Sequence, residues 1–158
     1  MDSIELCAVW GCLHDGYIVA TSSSEGRVSF DVLCRYMAAA LGHPEERVFR
    51  VTVAEPVEWE PWERGEGERE PPCFEDIAGD EADVLSAEEV GSRVGVTLLF
   101  EDWNRASPRE SGGRLLVPAE DAALAWADGE RLMSADLLAA SARYWDAFGS
   151  AEGTDRVS

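Results

Sequence analysis

Cys12, His14 and Asp15 are the residues whose types and spacing come closest to a chemical motif. Thiolate, imidazole and carboxylate groups are all zinc ligands, but a structural zinc site takes four ligands, usually in paired short spacings. His43 and Cys73 would have to converge on the motif from distant positions. The sequence therefore predicts no metal site, and it also lacks the ligand pattern of an EF-hand calcium loop.

A cysteine and a histidine can also form a nucleophile and its base. Cys12 with His43, and Cys73 with His14, stay open as such pairs, although neither lies in a known local signature. No GxSxG elbow, GxGxxG loop or Walker sequence is present, so no cofactor is predicted. Among the many carboxylates, we expect a hydrolase to use Glu101-Asp102, at the end of a predicted strand.

Residues 55–89 form an acidic segment that also contains tryptophan. Fourteen acids against two arginines give it a formal charge of −12, out of −19 for the chain. Indoles fill pockets at interfaces while surrounding charge accelerates encounter, and a partner's arginine can stack on an indole and pair with a glutamate. The predicted partner-binding residues are Glu58, Trp59, Glu60, Trp62, Glu63, Glu66 and Glu68. The alternative is a solvated loop whose two tryptophans fold back onto the core.

The segment leads to three predictions of function. The first is a small acidic binding protein that neutralises a basic, Arg/Lys-rich protein partner, as immunity proteins, antitoxins or mimics of nucleic-acid charge do. The second is a small enzyme or biosynthetic accessory protein with a cleft involving His14 or His43. The third is a structural adaptor subunit. The net charge of −19 argues against direct binding of nucleic acid or anionic membranes.

Length and composition predict one domain. The chain has 158 residues, of which 46% are hydrophobic, enough for a core. We expect a domain over residues 1–150, with an acidic loop at about 55–85 and a frayed tail over 151–158. The N-terminus lacks a basic signal region, and three of the four cysteines lie within apolar patterns that favour buried, reduced thiols. The predicted location is therefore the cytoplasm. Codon bias or halophilic adaptation could each explain the lack of lysine.

The hydrophobic pattern predicts an α+β fold, with an antiparallel or mixed sheet of about four to five strands packed with two to four helices. The predicted strands are a hairpin over residues 4–21 turning at Asp15-Gly16, and single strands over 47–54, 94–100 and 114–117. The predicted helices cover 30–41 with Gly42 after its end, a short segment opening at Ser86, 119–127 and 135–148, the last ending at Gly149.

Overall fold

The computed structural model describes residues 1–62, 77, 82–101 and 110–155. Within these residues the helices are α1 (Ser3–Cys12), α2 (Arg35–Ala40) and α3 (Ser134–Asp155). The strands are β1 (Tyr17–Ser24), β2 (Arg27–Leu33), β3 (Phe49–Ala54), β4 (Glu58–Pro61), β5 (Asp83–Val90), β6 (Arg93–Glu101), β7 (Glu110–Pro118) and β8 (Ala123–Trp126).

The eight strands of the described residues form one antiparallel sheet in the order β4-β7-β6-β5-β1-β2-β3-β8. The predicted α+β class and antiparallel pairing agree with this arrangement. The predicted four to five strands are wrong, because segments assigned to helices and to the acidic loop pair as strands instead.

One face of the sheet and the helices enclose the core. On β2 and β3 the buried residues alternate and pair across the ladder, as Phe30 does with Val51 and Val32 with Phe49. Helix α1 packs on β5 and β6, and α3 packs on α1 and α2. The core therefore lies between the inner face of the sheet and these helices.

Helix α1 replaces the first arm of the predicted hairpin. Asp2 caps the helix, its carboxylate accepting a hydrogen bond from the backbone N–H of Glu5 at 2.8 Å. Leu6, Val9 and Trp10 are fully buried at helical spacing. The hairpin over residues 4–21 is therefore wrong, and Asp15-Gly16 joins a helix to β1.

The helix predicted over residues 30–41 is wrong in its first half. Phe30 and Val32 are buried while Ser29 and Asp31 face outward, which is the two-residue period of β2. Only α2 is helical in this segment. The placement of Gly42 is confirmed, since it follows the end of α2 with a φ of 80°.

Two further predicted helices are strands. The capping-box sequence at Ser86 lies in β5, where Ser86 pairs with Thr97 and Glu88 with Gly95. Residues 119–127 contain β8, in which Trp126 pairs with Phe49. Pairing with neighbours already in the sheet overrides the local helix preference of both segments.

The remaining elements agree with prediction, since β3, β6 and β7 overlap the segments assigned to strands and α3 covers residues 135–148. Helix α3 runs through Gly149 and continues to Asp155, inside the segment predicted to be a frayed tail. Strand β4 falls within the predicted acidic loop, most of which lies outside the described residues. In the part of the chain that is described, no helix is both long and apolar enough to cross a bilayer.

Candidate partner-binding surface

Strand β4, at one end of the strand order, carries the first of the predicted partner-binding residues. Its register with β7 sets Glu58 against Leu116, Trp59 against Leu115 and Glu60 against Arg114. Alternation along the strand directs Trp59 to the core face, and Glu58 and Glu60 to the outer face.

Gly112 and Gly113 of β7 leave room for the rings of Trp59 and Trp62. A Cβ on Gly113 would lie 2.8 Å from the ring of Trp59, and a Cβ on Gly112 would lie 3.0 Å from the ring of Trp62. The two glycines point to opposite faces of the strand, so each indole lies against a position with no side chain. Trp59 also packs edge-on against Phe100, with ring centroids 5.8 Å apart. Trp62 donates its backbone N–H to the carbonyl of Gly112 at 2.9 Å and remains 43% exposed.

Two arginines from β6 and β7 hold the outer glutamates. Arg93 donates to Glu58 at 3.0 Å. Arg114 donates through Nε and a terminal nitrogen to one oxygen of Glu60, at 3.1 and 2.9 Å, and through its other terminal nitrogen to Glu88 at 3.0 Å. These hydrogen bonds, that of Glu60 first, raise the pKa of the Arg114 guanidinium above its usual range. We call the surface of Glu58, Glu60, Trp62, Glu88, Arg93 and Arg114 the outer Glu–Arg face.

The structure thus brings Glu58, Glu60 and Trp62 to one face and places Trp59 on the other. Glu63, Glu66 and Glu68 lie outside the described residues. Sequence reasoning missed Glu88, Arg93 and Arg114, which join the face only through strand pairing. The glycine pair was the available signal, because adjacent glycines inside a strand mark close approach of another group.

His14 lies in a cluster of aromatic side chains. Its Nδ1 is 2.8 Å from the carbonyl oxygen of Gly11 and 3.2 Å from the hydroxyl of Tyr36. Its ring stacks on Trp145 with centroids 5.2 Å apart, and Nε2 is 3.8 Å from the carboxylate of Asp15. The imidazole therefore packs against aromatic rings and bonds to backbone and hydroxyl groups.

The cysteines near this cluster have the properties of structural thiols. Burial raises the pKa of the Cys34 thiol to about 11 and also raises the pKa of the Cys12 thiol. Both thiols are consequently protonated at neutral pH, the opposite of an activated nucleophile. Cys73, the other candidate, lies outside the described residues.

His43 belongs to a second polar cluster. A terminal nitrogen of Arg47 lies 2.8 Å from Nδ1 of His43. A guanidinium has only donors, so Arg47 is the donor in this contact. The guanidinium also lies 4.3 Å from the ring centroid of Trp126. It pairs with Asp128 at 3.1 Å and with Glu130. The backbone N–H of Glu130, followed by Arg47, lowers the pKa of the Asp128 carboxyl.

Within the described ranges, no three histidine, cysteine or acidic side chains come together as metal ligands. The side chains of Glu101 and Asp102, the predicted hydrolase pair, lie outside the description. Comparisons of the chain with models of protein families, with curated proteins and with solved structures find no match.

Proposed function

We propose that this protein binds and neutralises a basic protein partner through the outer Glu–Arg face, as an inhibitor of the immunity-protein or antitoxin kind. The observation that supports this proposal is the display of Glu58 and Glu60 on the edge strand β4, with Trp62 directly after the strand. Strand register and two arginines fix their positions before any partner arrives.

Preorganisation favours binding because the partner does not have to order these side chains. Glu60 accepts both hydrogen bonds from Arg114 through one oxygen, Oε2. A carboxylate has about four acceptor sites over its two oxygens, so Oε1 can accept from a guanidinium of the partner. The same guanidinium can stack on the exposed ring of Trp62, which combines an ion pair with a cation–π contact.

Surplus charge around the face supplies long-range attraction. Arg93 and Arg114 balance only two of the three glutamates they contact, and residues 55–89 carry a formal charge of −12. Such a field accelerates encounter with a basic surface, an effect that weakens as ionic strength rises. Trp59 acts here as a positioning residue, because its packing in the core fixes β4 against β7.

The first experiment is a pull-down from native lysate at low salt, eluted with a salt gradient. We expect a stoichiometric basic protein that is released only at high salt. Stopped-flow association with that protein then compares Glu58→Gln/Glu60→Gln with a control variant, Glu45→Gln/Glu46→Gln. Both variants remove two charges, but Glu45 and Glu46 are exposed in the loop between α2 and β3.

We expect the β4 variant to slow association about tenfold and to flatten its salt dependence, with a much smaller effect in the control. Equal effects of the two variants would mean that only net charge matters, and the assigned face would be wrong. Failure to capture any partner across the gradient would count against neutralisation itself.

One observation favours the adaptor function as a second candidate. Trp145 is 39% exposed and Phe148 is 47% exposed, and their rings meet edge-to-face on α3 at 5.6 Å. Aromatic side chains in such a cluster are frequent interface anchors. If Trp145→Ala/Phe148→Ala abolishes capture of a partner while the β4 variant does not, the adaptor function is supported instead.

A further inference from the structure

A cleft of about 460 Å³ opens between the end of α2, the segment after β8, and α3. Its apolar lining includes Leu41, Leu132 and Trp126, of which Leu132 and Trp126 are buried. Ala139 of α3, which has a short side chain, also lines the cleft. Volumes of this order hold small organic molecules.

Two arginines line this cleft without a carboxylate partner. Of the eight arginines among the described residues, Arg47, Arg50, Arg93 and Arg114 form ion pairs. The other four form none with a described residue: Arg27, Arg35, Arg131 and Arg143. Two of these unpaired arginines, Arg131 and Arg143, line the same cleft, where their charge is not taken up by a carboxylate of the described residues. Two such groups at one cleft provide the donors that recognise a carboxylate.

The acidic groups of the cleft leave these arginines available. Glu130 is held by Arg47, which also binds Asp128. Asp136 lines the cleft from α3, seven positions before Arg143, and forms no ion pair with a described residue. Among the residues that line the cleft, two arginines (Arg131 and Arg143) balance two carboxylates (Glu130 and Asp136) in formal charge, in a chain that is otherwise strongly negative.

We propose that the cleft binds a small organic carboxylate with an apolar body. The guanidinium groups of Arg131 and Arg143 hold the carboxylate, and the body lies on Leu41, Leu132 and Trp126. The cleft adjoins β8, whereas the outer Glu–Arg face is built on β4 at the other end of the strand order. The ligand site is therefore independent of the proposed binding of a protein partner.

The test uses phenylacetate as the probe and phenylacetamide, of nearly the same shape but uncharged, as its matched control. Binding to the full chain is measured by ligand-observed and protein-observed NMR titration at near-physiological salt. We expect phenylacetate to bind at least about tenfold more tightly than the amide, because hydrogen bonds to charged groups are the stronger ones. Resonances of residues around Leu132 should shift with phenylacetate.

The variants Arg131→Gln, Arg143→Gln and their combination assign the donors. We expect the double variant to lose at least about tenfold in phenylacetate affinity. Arg35→Gln serves as the control, because Arg35 is exposed and does not line the cleft. Thermal melting confirms that each variant is folded. Equal affinity for the acid and the amide, or wild-type affinity in the folded double variant, would overturn the proposal.

Discussion

Gly113→Ala tests whether β4 and the ring of Trp59 pack closely against β7. The added Cβ would lie 2.5 Å from the carbonyl oxygen of Glu60 and 2.8 Å from two ring atoms of Trp59. Neither neighbour can yield easily, because Glu60 is paired in the ladder and the Trp59 ring packs on Phe100. The substitution must therefore move β4 away from β7 or displace the indole.

The expected cost follows from two opposing effects. Overpacking a well-packed site costs about 1–3 kcal/mol. Replacing a strand glycine with alanine raises the free energy of unfolding by about 0.5–1 kcal/mol, because an alanine loses less backbone freedom on folding. Because both contacts of the added Cβ are shorter than 3.0 Å and one is to a backbone oxygen, the overpacking cost falls in the upper half of its range, about 2–3 kcal/mol. The expected net loss in the free energy of unfolding is then about 1–2.5 kcal/mol.

Urea unfolding followed by circular dichroism measures this loss. At the usual slope of about 1–3 kcal/mol per molar urea, the midpoint should fall by roughly 0.5–1 M. Gly11→Ala in α1 is the matched control, because a Cβ there meets nothing within 4 Å. Its helical position predicts a gain of up to about 1 kcal/mol. If Gly113→Ala proves as stable as the wild type, the close approach of Trp59 to β7 is wrong.

Three further outcomes are expected. Native protein at pH 8 should resist alkylation at Cys34, whose pKa burial raises to about 11, and peptide mass mapping should detect labelling there only after unfolding. Gly42→Ala should lower the free energy of unfolding by about 1 kcal/mol, measured in urea, because its φ of 80° disfavours any side chain. The pKa of the Asp128 carboxyl is lowered first by the backbone N–H of Glu130 and then by Arg47. The ionised carboxylate therefore stabilises the fold at pH values above the ordinary carboxyl pKa. That stabilisation disappears as the pH falls through the lower folded pKa, so the stability gap between wild type and Asp128→Asn should narrow from about pH 5 to pH 2.

The elements predicted correctly are those whose local pattern has one interpretation. In β3, Phe49, Val51 and Val53 alternate with polar residues, and only a strand buries them together. The region 30–41 is different, because Phe30 fits both a two-residue and a helical period. Burial of Val32 by the neighbouring strands decides in favour of β2. The strands that bury Val32 come from other parts of the chain, so the pattern of residues 30–41 alone does not distinguish a strand from a helix.

Capping signals show the same dependence on context. Ser86 and Glu89 match the capping-box spacing, yet the segment is β5, because its residues pair along β6. Asp2 and Glu5 have the equivalent spacing, and there the helix does begin. No strand among the described residues pairs with the backbone at Asp2, whereas β5 pairs with β6, in which Val94 and Val96 are buried. The same local signal is therefore decisive only where tertiary pairing is absent.

The composition of the acidic segment predicts a partner-binding surface, but it does not show which side chains share a face. Trp59 and Trp62 have nearly identical surroundings in sequence, and only the register of β4 on β7 separates them. Because they are three positions apart, they fall on opposite faces of an extended chain. One indole therefore stabilises the strand while the other remains exposed beside Glu60. Both placements need the glycine pair on β7, so this surface depends on two segments that lie about fifty residues apart in the chain.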